Sequence, residues 1–118
     1  MPFTSQVYKQ IAKATITAAN TEQSLYVVPA LSAVVGQIYA VNNSTTLNRT
    51  LRVAVVSGGG TATAGDWLVY DVSLAPGESW QFTGATLNAA DEVRIQSDAI
   101  SSTAGTGVVV QIYGELNS

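Results

Sequence analysis

Apolar residues in this chain alternate with a period of two, and they do so only in short segments punctuated by Gly, Asn, Ser and Thr. No window of helical length carries a stripe with a 3.6-residue period, so the pattern specifies strands and turns rather than helices. The residue stock agrees: the β-branched Val and Thr are plentiful, whereas the helix-favouring Glu and Lys are scarce. Eight strands are predicted, over Gln10–Thr17, Ser24–Val28, Ala33–Asn42, Arg49–Val56, Trp67–Val72, Ser79–Thr83, Glu92–Ser97 and Val108–Leu116. Short strands separated by a turn roughly every 8–12 residues indicate an all-β domain. The expected fold is a single antiparallel β-sandwich of about eight strands, jelly-roll or immunoglobulin-like. Residues 1–9, with no strong pattern, are expected to form an N-terminal arm, and residues 10–118 the sandwich.

The alternation also assigns faces. Ala12, Ala14 and Ile16 share one side of the first strand, and Val108, Val110, Ile112 and Gly114 share one side of the last. In the third strand Val35, Gln37, Tyr39 and Val41 oppose Val34, Gly36, Ile38 and Ala40; with both faces largely apolar, it should be central or covered by a subunit. Leu51, Val53 and Val55 should face the core, as should Val93, Ile95 and Ser97. Strict alternation in the fifth strand places Trp67, Val69 and Asp71 opposite Leu68, Tyr70 and Val72. Trp80 and Phe82, two apart on one face, read as core rather than as a sugar-binding platform. Ala75-Pro76-Gly77-Glu78 has the Pro-Gly order of a type II turn. The Gly58–Gly60 run lies in the longest flexible connection.

Composition excludes several chemistries. The 118 residues include no Cys and no His, which removes disulfides, thiol nucleophiles, zinc fingers and the commonest general base. Only 11% of residues are charged, against about 25% in an ordinary domain. Five dispersed cations with a net charge of −3 do not make a nucleic-acid surface. No apolar run of about 18 residues spans a bilayer. Met1-Pro2-Phe3-Thr4 lacks the basic start of a secretory signal, so synthesis in a cytoplasm is expected.

Catalytic arrangements fare poorly. Lys9 and Lys13 read as solvated charges, with no Ser-x-x-Lys motif to pair them. Asp66 and Asp71 lie five residues apart on one strand, about 16 Å, beyond either glycosidase geometry. Asp98 near Ser101 and Ser102 reads as a turn-stabilising carboxylate rather than a calcium ligand. Glycine-rich Gly58–Gly60 is followed by no Lys-Ser or Lys-Thr that would make a phosphate loop. No catalytic residue, cofactor or metal ligand is assigned. A chain this poor in charge and this apolar on both strand faces is expected to associate. The candidate interface residues are Phe3, Val7, Tyr8, Tyr39 and Tyr70.

The order Leu25-Tyr26-Val27-Val28-Pro29-Ala30, Ala33-Val34-Val35 and Tyr39-Ala40-Val41-Asn42-Asn43 continues through Arg52-Val53-Ala54-Val55 and Trp67-Leu68-Val69-Tyr70-Asp71-Val72 to Leu74-Ala75-Pro76-Gly77-Glu78. It resembles small virion structural proteins of tailed bacteriophages, the compact β-sandwich modules of head decoration, tail and baseplate components. The resemblance covers about Ile11–Tyr113 and rests on strand and turn residues rather than on a chemical motif. Leu31 departs from the usual Val-Pro-Ala-Gly turn, standing where a glycine is common. The resemblance brings no catalytic residues. It implies a protein made in an infected bacterium and built into the virion in many copies, as a trimer or higher homo-oligomer. Its partners would be the major capsid or tail proteins, with neither nucleic acid nor membrane involved. A capsid decoration or cement role comes first, a tail or baseplate role second. A lectin-like module for host glycans is the alternative from another class.

Overall fold

The structure, a computed structural model, describes residues 8–58, 61–103 and 105–117. They form β1 (Lys9–Thr15), β2 (Gln23–Val27), β3 (Ala33–Asn42), β4 (Arg49–Val56), β5 (Trp67–Leu74), β6 (Ser79–Leu87), β7 (Glu92–Ser97) and β8 (Val108–Asn117). One turn of 3₁₀ helix, η1, covers Ala64–Asp66. The strands build two four-stranded antiparallel sheets, ordered β1-β8-β3-β6 and β2-β7-β4-β5. The fold is therefore the expected all-β, eight-stranded sandwich. The order nests first strand against eighth, second against seventh and third against sixth, which is a jelly roll.

The core lies between the sheets. Ile38, Leu51, Val53, Val93, Ile95, Val108 and Val110 are fully buried there, each contributing about 1.5–3 kcal/mol of apolar transfer. β3 is central in its sheet, as expected, flanked by β8 and β6; its outer face remains open, with Val35 exposed. Trp80 and Phe82 share the inner parity, opposite Ala40 and Ile38. The structure separates them nonetheless: on the same edge strand, Trp80 packs against the core, whereas Phe82 remains 38% exposed.

Regular and irregular pairings divide cleanly. The central pairs β3–β8 and β4–β7 run without a register shift. Each of the four edge strands is bulged, with an extra residue at Ile11 in β1, Leu25 in β2, Leu68 and the Tyr70–Asp71 pair in β5, and Gly84 in β6. This corrects the faces predicted for the fifth strand. Asp71 adopts a left-handed φ of +57°, the parity reverses, and Val69 and Val72 both pack on the core. Gly84, at φ +72°, likewise lets β6 continue to Leu87 rather than end at Thr83.

Buried polar groups fix the loops at one end. Asn42 is fully buried; its Nδ2 donates to the Leu47 and Leu74 carbonyls at 2.9 and 2.8 Å, and its Oδ1 accepts from Ser44 N–H at 2.9 Å. Gly77 has φ +80° and Glu78 N–H bonds Ala75 O at 2.9 Å, as a type II turn requires. Ser101 Oγ accepts from Ile16 N–H and donates to Val108 O, both at 2.6 Å.

Candidate functional site

The outer face of the β1-β8-β3-β6 sheet interleaves tyrosines and glutamines. Directly paired residues share a face, and the pairing sets Tyr39 between Gln81 and Gln111, and Tyr113 between Gln37 and Gln10. Gln10 Nε2 donates to the Tyr113 hydroxyl at 3.2 Å. Among the paired positions of this face, Lys13 and Glu115 carry the charge; the rest are Gln, Tyr, Thr, Val, Ser, Asn and Ala. Tyr8, Gln37, Tyr39, Gln81, Gln111 and Tyr113 together line a shallow cavity of about 300 Å³.

On the opposite sheet Arg52 and Arg94 are paired with carboxylates. Arg52 Nε and Nη2 donate to Asp71 Oδ1 and Oδ2 at 2.6 and 3.0 Å, a bidentate geometry. The guanidinium lies 3.8 Å from the centre of the Tyr70 ring, and Tyr70 meets Trp67 edge-on with centroids 5.4 Å apart. Arg52 holds the Asp71 carboxyl below the usual carboxylate range through these hydrogen bonds. Tyr70 is 58% exposed despite this support. Further along the face, Arg94 donates to Glu22 and Glu92, and Glu22 Oε1 also accepts from Ala62 N–H at 2.9 Å. Ala54 and Val56 lie on this outer parity yet are buried; η1 lies against their strand.

One end of the sandwich carries a group of exposed apolar side chains. Leu31, in the β2–β3 connection, is 92% exposed and sits at φ +63°. Val27, Val35 and Leu116 are exposed around the same end, where β3 begins opposite the end of β8. β1 also starts here, with Lys9 opposite Gly114. The residue that departs from the expected glycine thus occupies a left-handed position.

The predicted interface residues do not form one patch. Tyr8 and Tyr39 line the same cavity, whereas Tyr70 belongs to the rim of the other sheet, beside Arg52. Phe3 and Val7 lie outside the described residues, as do Gly59 and Gly60 of the glycine run. Sequence reading missed Tyr113, Gln37, Gln81 and Gln111; alternation gives each its parity, but only the register makes them neighbours. Asp98 Oδ1 accepts from Thr50 N–H at 3.1 Å, a bond that ties the β7–β8 loop to β4. Among the described residues no group of three or more Asp or Glu gathers to hold a metal, and no helix is long and apolar enough to cross a membrane. Compared with protein-family models, curated proteins and solved structures, the chain matches none.

Proposed function

We propose that the chain is a non-enzymatic structural protein of a tailed-bacteriophage virion, with capsid decoration or cementing as its first role. The virion context rests on the strand-and-turn resemblance. The jelly roll is compatible with it, being an architecture of viral capsid and lectin domains, although a fold by itself fixes no function.

The observation that carries an assembly role is Leu31. A leucine at φ +63° costs about 1–2 kcal/mol relative to glycine's freedom in that region. At 92% exposure the side chain gains almost nothing within the chain in return. Seating it in an apolar socket of a capsid or tail protein offsets that strain, and Val27, Val35 and Leu116 widen the contact. β1 also begins at this same end. The bulged edges support end or face contacts over strand addition, because a bulge interrupts the row of groups that another strand would pair with.

Sedimentation with purified empty capsids and, separately, with tails tests the proposal. The wild-type chain is expected to co-sediment with capsids, and Leu31→Gly and Leu31→Asn to lose that while melting no lower than the wild type, since both relieve the left-handed strain. Co-sedimentation with tails alone moves the role to the tail or baseplate. Binding to neither particle, or binding indifferent to Leu31, overturns the assembly reading.

A further inference from the structure

We propose that the Tyr–Gln face of the β1-β8-β3-β6 sheet is a binding site for neutral glycans. The six residues lining its cavity are three tyrosines and three glutamines, with no Lys, Arg, Asp or Glu among them. A volume of about 300 Å³ reaches the lower end of the range for small-molecule sites.

The lining chemistry selects the ligand class. An anionic ligand calls for Arg or Lys to neutralise it, and none lines the cavity. A purely apolar ligand would take the carboxamides out of water without giving them partners, at a cost of about 1–3 kcal/mol per group. A pyranose satisfies both parts of the lining. Its C–H face lies flat on a phenol ring, and its hydroxyls both donate and accept, as a carboxamide does. The register supplies that combination repeatedly, since Tyr39 has Gln81 on one side and Gln111 on the other, while Tyr113 has Gln37 and Gln10. The carboxamides of Gln37, Gln81 and Gln111 form no hydrogen bond to another described residue, which leaves them open to a ligand. Repetition of the ring-and-amide unit on neighbouring strands suits a chain of sugars better than a single one.

The site does not depend on the virion proposal, because its cavity is lined by none of Leu31, Val27, Val35 and Leu116, so the two proposals are tested on different side chains. Affinity electrophoresis of the purified chain through gels containing dextran, a neutral galactan or an acidic polysaccharide such as alginate tests it. Retardation by a neutral polysaccharide but not by alginate is expected. Tyr39→Ala and Gln81→Ala should each weaken it about tenfold, equivalent to roughly 1.4 kcal/mol, without moving the melting midpoint. Gln81 is an exposed edge-strand position, so that variant remains informative if Tyr39→Ala loses stability. Equal retardation by alginate, no retardation by either neutral polymer, or retardation unchanged in both variants overturns the assignment.

Discussion

Gly36 and Gly114 face each other across the β3–β8 pairing, and neither has room for a Cβ. A Cβ built on Gly36 would lie 1.9 Å from the Tyr113 carbonyl oxygen, and one on Gly114 would lie 2.4 Å from that of Val35. The obstruction is backbone, so no rotamer change relieves it. Space rather than conformation demands glycine here, since neither residue has positive φ. This close approach secures the register that sets Gln37 beside Tyr113 on the outer face.

Gly36→Ala and Gly114→Ala are therefore each expected to destabilise the fold by about 2–4 kcal/mol, the upper range for overpacking. Thermal melting should fall by about 10 °C or more. Gly65→Ala serves as the control, because a Cβ there meets nothing within 4 Å and φ is not positive; its midpoint should stay close to that of the wild type.

Asn42 gives a second, independent stability test. Leucine is close to asparagine's size but cannot donate, so Asn42→Leu strands the Leu47 and Leu74 carbonyls. An unpaired buried acceptor costs about 1–3 kcal/mol. A loss of about 2–4 kcal/mol in chemical denaturation is the expected result, and Asn42→Asp should do no better, since it loses the same donor and buries a charge. A wild-type midpoint in Asn42→Leu would show that these bonds are dispensable.

The extent to which the sequence announces this structure follows the bulges. Parity is legible in β3, β7 and β8, where alternation continues unbroken and Val34, Ile38, Val93, Ile95, Val110 and Ile112 all reach the core. It fails in β5, because two added residues, at Leu68 and at Tyr70–Asp71, each shift the faces that follow, and nothing local to Trp67-Leu68-Val69-Tyr70-Asp71 announces a bulge. Asp71 tolerates left-handed φ better than most residues, a permissive signal rather than a directive one. The Tyr–Gln face is hidden for another reason. Tyr39 and Tyr113 stand 74 positions apart in sequence (113 − 39), and only the non-local pairing of β3 with β8 joins them. Leu31 is visible in the sequence as a departure from glycine; its exposure and φ emerge only from the fold.

The Arg52–Asp71 pair sets a pH dependence with a definite sign. The Asp71 carboxyl is lowered in the fold, chiefly by the hydrogen bonds from Arg52. Whatever the pair contributes is complete above the carboxyl's unfolded value and is lost as pH falls through the lowered folded value. A carbon-detected NMR titration should show Asp71 titrating below an ordinary aspartate, and Arg52→Gln should return it to the ordinary range. The stability difference between wild type and Asp71→Asn should be constant from neutral pH down to about pH 4–5 and shrink only in stronger acid. Persistence of the low titration in Arg52→Gln would assign the shift to another cause.

The β6 bulge offers a test of edge protection that leaves the core intact. Gly84 is the extra residue between the Gln37–Thr83 and Gly36–Ala85 pairs, so its deletion preserves both pairings and turns no side chain to the other face. It is exposed and holds φ +72°, and a Cβ added there would meet nothing within 4 Å, so its loss opens no cavity. Removing it leaves β6 a continuous edge with an uninterrupted row of outward N–H and C=O groups, the arrangement that invites another strand. The deletion variant is expected to stay within about 1 kcal/mol of wild-type stability. Sedimentation velocity should nevertheless show concentration-dependent assembly beyond the wild-type species, accompanied by thioflavin binding. If the variant sediments as the wild type does, the bulge shapes the strand without protecting it, and the other three edges must then be tested one by one.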